Sequence, residues 1–288
     1  MTTRNNTSNT SNTSNTTTTT VCAICGATEN LMTIGSRRMC GSCYSNTPAI
    51  NSYMYKPNAQ FHGKHTRYFG VELEVVPAIN NDPGGKLAIN MVTKALGSLA
   101  YLKRDGSVSD GGFEIVTHPF SLHTMYSDRM FSRLEDAPLR SYSDPTCGLH
   151  VHVSRNGLKQ DQLFNLLAFF TNADNDDFLR FIGQRDWNRY CSAHTMREIN
   201  NDFLGWNGRY KAINFCNTAT IEFRFFKGNI KAAAVYKAVQ FCDAILEFCG
   251  TNPSELTYTN FIEYVNNMKV GMYKYNHLRR YINKYMPA

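Results

Sequence analysis

From Phe69 to Val75 the chain alternates residue by residue: Phe69, Val71, Leu73 and Val75 are apolar, with Gly70, Glu72 and Glu74 between them. Alternation with a period of two predicts a strand with one apolar face, and Pro77 marks its end. Similar pieces recur at Ala100–Arg104, Gly112–Thr117, Gly148–Ser154, Lys211–Cys216 and Thr220–Phe226. Ala88, Met91, Val92, Ala95, Leu96 and Leu99 instead follow the i, i+3, i+4 spacing of a helix. Helical patterns also fill 121–135, 160–183, 231–249, 254–268 and 273–285. Strands and helices intermix without a regular βαβ rhythm. The predicted class is therefore α+β, an antiparallel or mixed sheet with flanking helices on one side.

The pattern divides the chain. Residues 1–20 are almost wholly Thr, Ser and Asn and predict a disordered tail, because nothing apolar is there to bury. Residues 21–46 hold two cysteine pairs, 47–66 read as a proline-containing linker, and 67–288 form the body. The formal net charge of +7 is concentrated at the ends. Residues 1–66 carry five Lys/Arg and one acid, residues 269–288 carry five Lys/Arg and none, and the body between them is slightly acidic. A basic total therefore says little about nucleic acid for the body itself. The longest apolar stretches are about eight residues against the roughly 20 of a membrane span, so no membrane role is expected. The Thr/Ser/Asn-rich beginning lacks an apolar signal segment, which predicts a reducing, cytoplasmic setting with cysteines as thiols or metal ligands.

Cys22-x-x-Cys25 and Cys40-x-x-Cys43 are separated by fourteen residues. Two such pairs match a four-thiolate structural zinc ribbon, in which the metal replaces the core that so short a segment lacks. Arg37 and Arg38 leave a protein or nucleic-acid partner open for this ribbon. Of the other cysteines, Cys242 and Cys249 share an apolar helix face and are expected in the core.

Three of the predicted strands carry ionisable residues at i and i+2: Glu72 and Glu74, His150 and His152, Glu222 and Arg224. Each pair shares a strand face, about 7 Å apart. Singly, each pair is explained by a solvated face. Adjacent in one sheet, they would make a floor of carboxylates, imidazoles and a guanidinium. Glu114 alternates with Phe113 and Ile115 and belongs to the same kind of face.

In order, the chain contains Phe-Gly-Val-Glu-Leu-Glu (69–74), Asp-Gly-Ser (105–107) before Phe-Glu-Ile-Val (113–116), Cys-Gly-Leu-His-Val-His-Val (147–153) and Thr-Ile-Glu-Phe-Arg-Phe-Phe-Lys-Gly (220–228). This ordered set resembles the amidoligase family, carboxylate–amine ligases of the glutamine synthetase and glutamate–cysteine ligase fold. The resemblance covers about 67–230 and implies a curved sheet around a site for ATP and Mg²⁺. Carried over, Glu72, Glu74, Glu114, His150 and Glu222 resemble the Mg²⁺ ligands, and His152 a group touching phosphate or substrate. Arg224 resembles the arginine on the transferring phosphate, with Arg209 and Lys227 as further nucleotide contacts. The implied activity joins a carboxylate (an amino acid, peptide or protein tail) to an amine through an acyl phosphate. Hard Mg²⁺ suits carboxylate oxygens, and phosphoryl transfer asks mainly for charge neutralisation.

Two other classes remain open. One is a binding module in which the ribbon and basic C-terminus contact nucleic acid or protein beside an inactive body. The other is a zinc hydrolase using His150, His152 and a glutamate. Residues 184–208, with Trp187 and Trp206, form the candidate substrate loop.

Overall fold

A computed structural model of the chain describes residues 20–109, 111–127, 129–195, 208–268 and 274–285. Trp206 with the rest of 196–207 in the candidate loop, and the Thr/Ser/Asn tail before Thr20, lie outside the described residues. The first elements are β1 (Leu31–Ile34), β2 (Arg37–Cys40) and α1 (Gly41–Ser45), a hairpin and short helix that carry Cys40 and Cys43, with Cys22 and Cys25 around the turn that precedes β1. The body is built on β3 (Phe69–Pro77), β4 (Ala100–Lys103), β5 (Phe113–Thr117), β6 (Leu139–Arg140), β7 (Gly148–Ser154), β8 (Ile213–Asn214) and β9 (Thr220–Lys227). Their order is β4-β5-β3-β7-β9-β8, with β6 beside the end of β3, and neighbouring strands run antiparallel. The protein is α+β, with an antiparallel sheet and flanking helices.

The apolar strand positions point to one side. Val71, Leu73, Val75, Ile115, Leu149, Val151, Val153, Ile221, Phe223 and Phe225 all enter one core. The helices that cover it are α2 (Lys86–Leu96), α3 (Leu122–Ser127), α4 (Gln160–Thr171), α5 (Asp176–Gly183), α6 (Ala232–Gly250), α7 (Tyr258–Asn267) and α8 (Asn276–Tyr285). α6 is apolar nearly all round and is buried accordingly, Cys242 and Cys249 included. Asp243, on this buried helix, is held by Arg67 at 2.6 Å, Lys274 at 3.0 Å and the Tyr275 hydroxyl at 3.0 Å. This knot ties the start of β3 to the C-terminal helix.

Two predicted helices are divided. The pattern over 160–183 breaks at Asn172, whose ψ of 117° is extended and whose side chain accepts from the Asp174 N–H at 3.1 Å. The local Asn/Asp run offers its own backbone bonds in place of helical ones. The pattern over 121–135 is divided where Arg129 takes a left-handed φ of 47°, and resumes as a short 3₁₀ turn, Ser132–Asp136. The strand predicted over Lys211–Cys216 is confined to β8.

The ribbon docks on α2. Cys22, Ile34, Met39 and Cys40 share a small apolar cluster with Leu87. Asn90 donates to the Thr47 hydroxyl at 2.8 Å, and Lys86 donates to the Tyr44 carbonyl at 3.2 Å with its ammonium 3.9 Å from the Tyr44 ring. Among the described residues no helix is long and apolar enough to cross a membrane.

Candidate functional site

Strand register collects the ionisable residues. Glu72 on β3 lies opposite His150 on β7, and Glu74 lies opposite Glu114 on β5. His152 faces Glu222 on β9, which in turn faces Asn214 on β8; Lys103 on β4 faces Glu114. Every expected strand residue of the floor therefore projects from the side of the sheet opposite the core. The floor is also buried: Glu74, Glu114, His150 and Glu222 are each at most 6% exposed. A solvated strand face does not bury its carboxylates in this way.

Two groups stand out within the floor. In Glu72, His152 and Glu222, one ligand atom of each lies within 4.8 Å of the others, and the same holds for Glu74, Asp105 and Glu114. In the first group His152 Nε2 is 3.3 Å from Glu72, and His150 Nδ1 is 3.5 Å from both Glu72 and Glu222. Glu222 also receives the Asn214 amide at 2.8 Å and pairs with Arg224. Burial opposes the ionisation of Glu72, but the His152 and His150 imidazoles outweigh it and hold this carboxyl well below the usual range. Burial likewise opposes protonation of His152, and Glu72 and Glu222 outweigh it and raise its pKa. Thus imidazoles on the neighbouring strand offset the charge of Glu72.

The second group has no such relief. Burial, then Glu72, then Asp105 push Glu114 up to about 9, although Lys103 Nζ is 3.4 Å away. Asp105 moves the other way: burial opposes it, but hydrogen bonds from Glu114 and Ser107 lower its pKa. The Ser107 backbone N–H and hydroxyl both reach Asp105 at 2.6 Å. Glu74 accepts the Gly148 backbone N–H. A Cβ at Gly148 would lie 2.8 Å from Arg185 Nη1, 3.1 Å from Glu74 and 3.3 Å from His150, so any larger residue there would push the Arg185 head aside and crowd both ligand groups. Among the described residues, buried Glu114 Oε2, His150 Nδ1 and His152 Nε2 have ion-pair neighbours at 3.3–3.5 Å but none in hydrogen-bond geometry, and Arg224 Nε has no hydrogen-bond partner. Buried polar atoms are rarely left so, and several on one face fit a ligand or cation between them.

The remaining predicted residues lie around this floor. Arg209 precedes β8 and reaches Tyr53, and Lys227 closes β9 opposite Gly148 with its ammonium 4.4 Å from the Tyr142 ring. Cys147 is buried and its thiol is pushed up to about 12 by burial first, so it is no activated nucleophile. Sequence patterning also left Tyr101, Lys103, Asn214 and Arg185 without roles. Tyr101, Lys103 and Asn214 carried the same period-two signal as their neighbours. Burial and the Glu72 and Glu114 charges push the Tyr101 phenol up to about 12, so it stays neutral on the floor. Arg185 sits just after α5 in irregular chain and had no such signal.

The four expected ribbon cysteines converge as well, with their Sγ atoms within 4.8 Å of one another and Cys25 and Cys40 3.7 Å apart. Cys22 is buried, which opposes ionisation, but backbone N–H groups of Cys25, Cys40 and Ile24 bring its thiol down to about 6. No family model matches the chain, and no curated protein matches it.

Proposed function

We propose that the protein is an ATP- and Mg²⁺-dependent carboxylate–amine ligase of the glutamine synthetase-like kind, with structural zinc in its ribbon. The observation that carries this is the pair of three-ligand groups on one face, three of the six residues buried and three half-buried, with Arg224, Arg185 and Lys103 nearby. Glu74, Asp105 and Glu114 offer oxygens only, the donor set that Mg²⁺ prefers, and Glu114 Oε2 has the Lys103 ammonium at 3.4 Å but no hydrogen bond. Glu72, His152 and Glu222 would hold a second divalent ion, with the imidazole as their one nitrogen. Bound Mg²⁺ would neutralise phosphate charge during transfer.

The chain's own groups supply the rest. Arg224 is anchored by Glu222, so its fork is aimed before any substrate arrives. It would steady the γ-phosphoryl group as a substrate carboxylate accepts it, and an amine would then displace phosphate. Burial of the floor keeps water from competing with the amine. In the ribbon, four sulfurs at the observed separation suit zinc, since a tetrahedron with bonds of about 2.3 Å has edges of about 3.8 Å.

The imidazole in the first group also keeps a zinc hydrolase in play, and product analysis separates the two. Incubation with ATP, Mg²⁺ and a panel of carboxylates and amines should release ADP, phosphate and amide in equal amounts. Formation of AMP, or hydrolysis of an ester or amide without ATP, would overturn the ligase proposal.

A further inference from the structure

The segment between ribbon and body is tacked down at both ends. At the first, Asn51 pairs with Lys103 on edge strand β4: its N–H donates to the Leu102 carbonyl at 3.0 Å and its carbonyl accepts from Arg104 at 2.9 Å. At the second, the His62 N–H donates to the Pro119 carbonyl at 2.8 Å. Between these points two tyrosines turn onto the site. Tyr55 packs edge-on against Tyr101, with centroids 5.4 Å apart. The Tyr53 ring lies 5.3 Å from the Lys103 ammonium, and its hydroxyl accepts from Arg209 Nη2 at 2.7 Å.

Those two partners belong to opposite ends of the sheet. Lys103 is on β4, and Arg209 leads into β8. Laid flat, six strands about 4.8 Å apart would hold the edges about 24 Å from each other. A single tyrosine thus bridges side chains rooted at the two sides of the sheet. The line continues beyond Arg209, whose guanidinium is 5.9 Å from the Tyr210 ring, with Arg224 also 5.9 Å from that ring. The segment is in turn fixed at its root, where Asn90 on α2 donates to Thr47 at 2.8 Å and to the Cys43 carbonyl at 3.4 Å.

We infer that this segment is a strap forming one wall of the site: Tyr53 is a positioning residue that holds Arg209 over the carboxylate floor, and the ribbon docked on α2 is the anchor that holds Tyr53. The ribbon then serves the body in cis, and its distance from the floor is covered by about ten residues of pinned chain. The role of Arg209 in nucleotide binding rests on the ligase proposal; the mechanical link from ribbon to strap to Arg209 does not.

The test compares the full chain with Tyr53→Phe, which deletes only the hydroxyl, and with Asn90→Ala, which loosens the root away from the floor. Hydrogen exchange across 208–214 reads the clasp, since the Lys211 and Ala212 amides donate to Gly208 and Ser192. Calorimetry with Mg·ATP reads the site. Tyr53→Phe should keep its melting temperature, exchange faster across 208–214 and bind Mg·ATP roughly three- to ten-fold more weakly, the loss of one solvent-exposed hydrogen bond. Asn90→Ala should speed exchange across 47–56 and, through it, across 208–214. Unchanged exchange at 208–214 in Tyr53→Phe would overturn the clasp, and a change confined to 47–56 in Asn90→Ala would overturn the anchor. Should the unaltered protein bind no Mg·ATP, the ligase proposal fails and the exchange data still decide the strap.

Discussion

Glu114→Gln should stabilise the Mg²⁺-free protein, and the gain should depend on pH in a defined direction. The Glu114 carboxyl ordinarily titrates at 4.5 and is raised to about 9 in the fold by burial, Glu72 and Asp105. Below pH 4.5 both folded and unfolded chains hold the proton, and folding carries no charge penalty from this group. Between 4.5 and 9 the unfolded chain releases it while the folded chain keeps it, so stability falls as pH rises. At pH 7 the loss is about 3.5 kcal/mol, from roughly 2.5 pH units at about 1.4 kcal/mol each. Glutamine cannot ionise and keeps the shape, so it escapes this loss. For a domain above 200 residues that is a melting-temperature gain of about 10 °C at pH 7, vanishing near pH 4.5. The assay is thermal unfolding from pH 4.5 to 8.5 after dialysis free of Mg²⁺, with the ribbon metal retained. Glu72→Gln is the control of opposite sign, because it removes the partner of His150 and His152 and should destabilise. Parallel pH profiles for Glu114→Gln and the unaltered protein would refute the account of this face.

Gly148→Ala should fold but lose divalent-ion binding and activity, because the added methyl meets Arg185, Glu74 and His150 together; calorimetry with Mn²⁺ checks it. Arg224→Lys should abolish turnover while changing Mg·ATP affinity less, since an ammonium cannot reproduce the fork held by Glu222, and a fully active variant counts against the mechanism. Lys237 is buried, donates to the Ile182 carbonyl at 2.6 Å, and is pulled by burial from 10.5 to about 7. Its folded state resists protonation, so stability rises with pH between about 7 and 10.5. Lys237→Met should therefore raise the melting temperature at pH 6, with the advantage shrinking as pH approaches 10.5. A chain beginning at residue 60 removes the ribbon from Leu87 and Ile79 and should melt earlier than the full chain; equal melting would show that ribbon docking adds nothing to the body.

What the sequence disclosed was whatever a strand's period discloses. Alternation put Glu72 with Glu74 and His150 with His152 on shared faces, and the spacing of the cysteine pairs announced the ribbon. Register lay beyond it. That Glu72 meets His150 while Glu74 meets Glu114 depends on which strands are neighbours, and no local pattern encodes this. For Glu72, partners across the strands therefore matter more than its neighbour along its own strand. Irregular chain hid the rest. Asp105 stood in a recognisable turn, yet its closeness to Glu74 and Glu114 comes from the turn between β4 and β5 folding back over the floor. Tyr53 stood among linker-like residues, where only tertiary pairing with β4 reveals a purpose.

The two ligand groups differ in how the chain balances their charge, and the difference has a consequence for ion binding. Glu72 and Glu222 face His150, His152, Asn214 and Arg224, so protein donors already satisfy much of what a cation would supply. Glu74, Asp105 and Glu114 have Lys103 beside them and the Gly148 N–H, and Glu114 retains a proton at neutral pH. A cation entering there would displace that proton, whereas one entering beside Glu72 would compete with the proton that Glu72 and Glu222 favour on His152. Both sites should thus bind more tightly as pH rises, the first through a carboxyl and the second through a histidine. Glu114→Gln should remove proton release at one site and leave it at the other. Calorimetric titration with Mn²⁺ in buffers of differing ionisation enthalpy counts those protons. Equal proton release from the unaltered protein and Glu114→Gln would show that the oxygen-only group does not receive an ion.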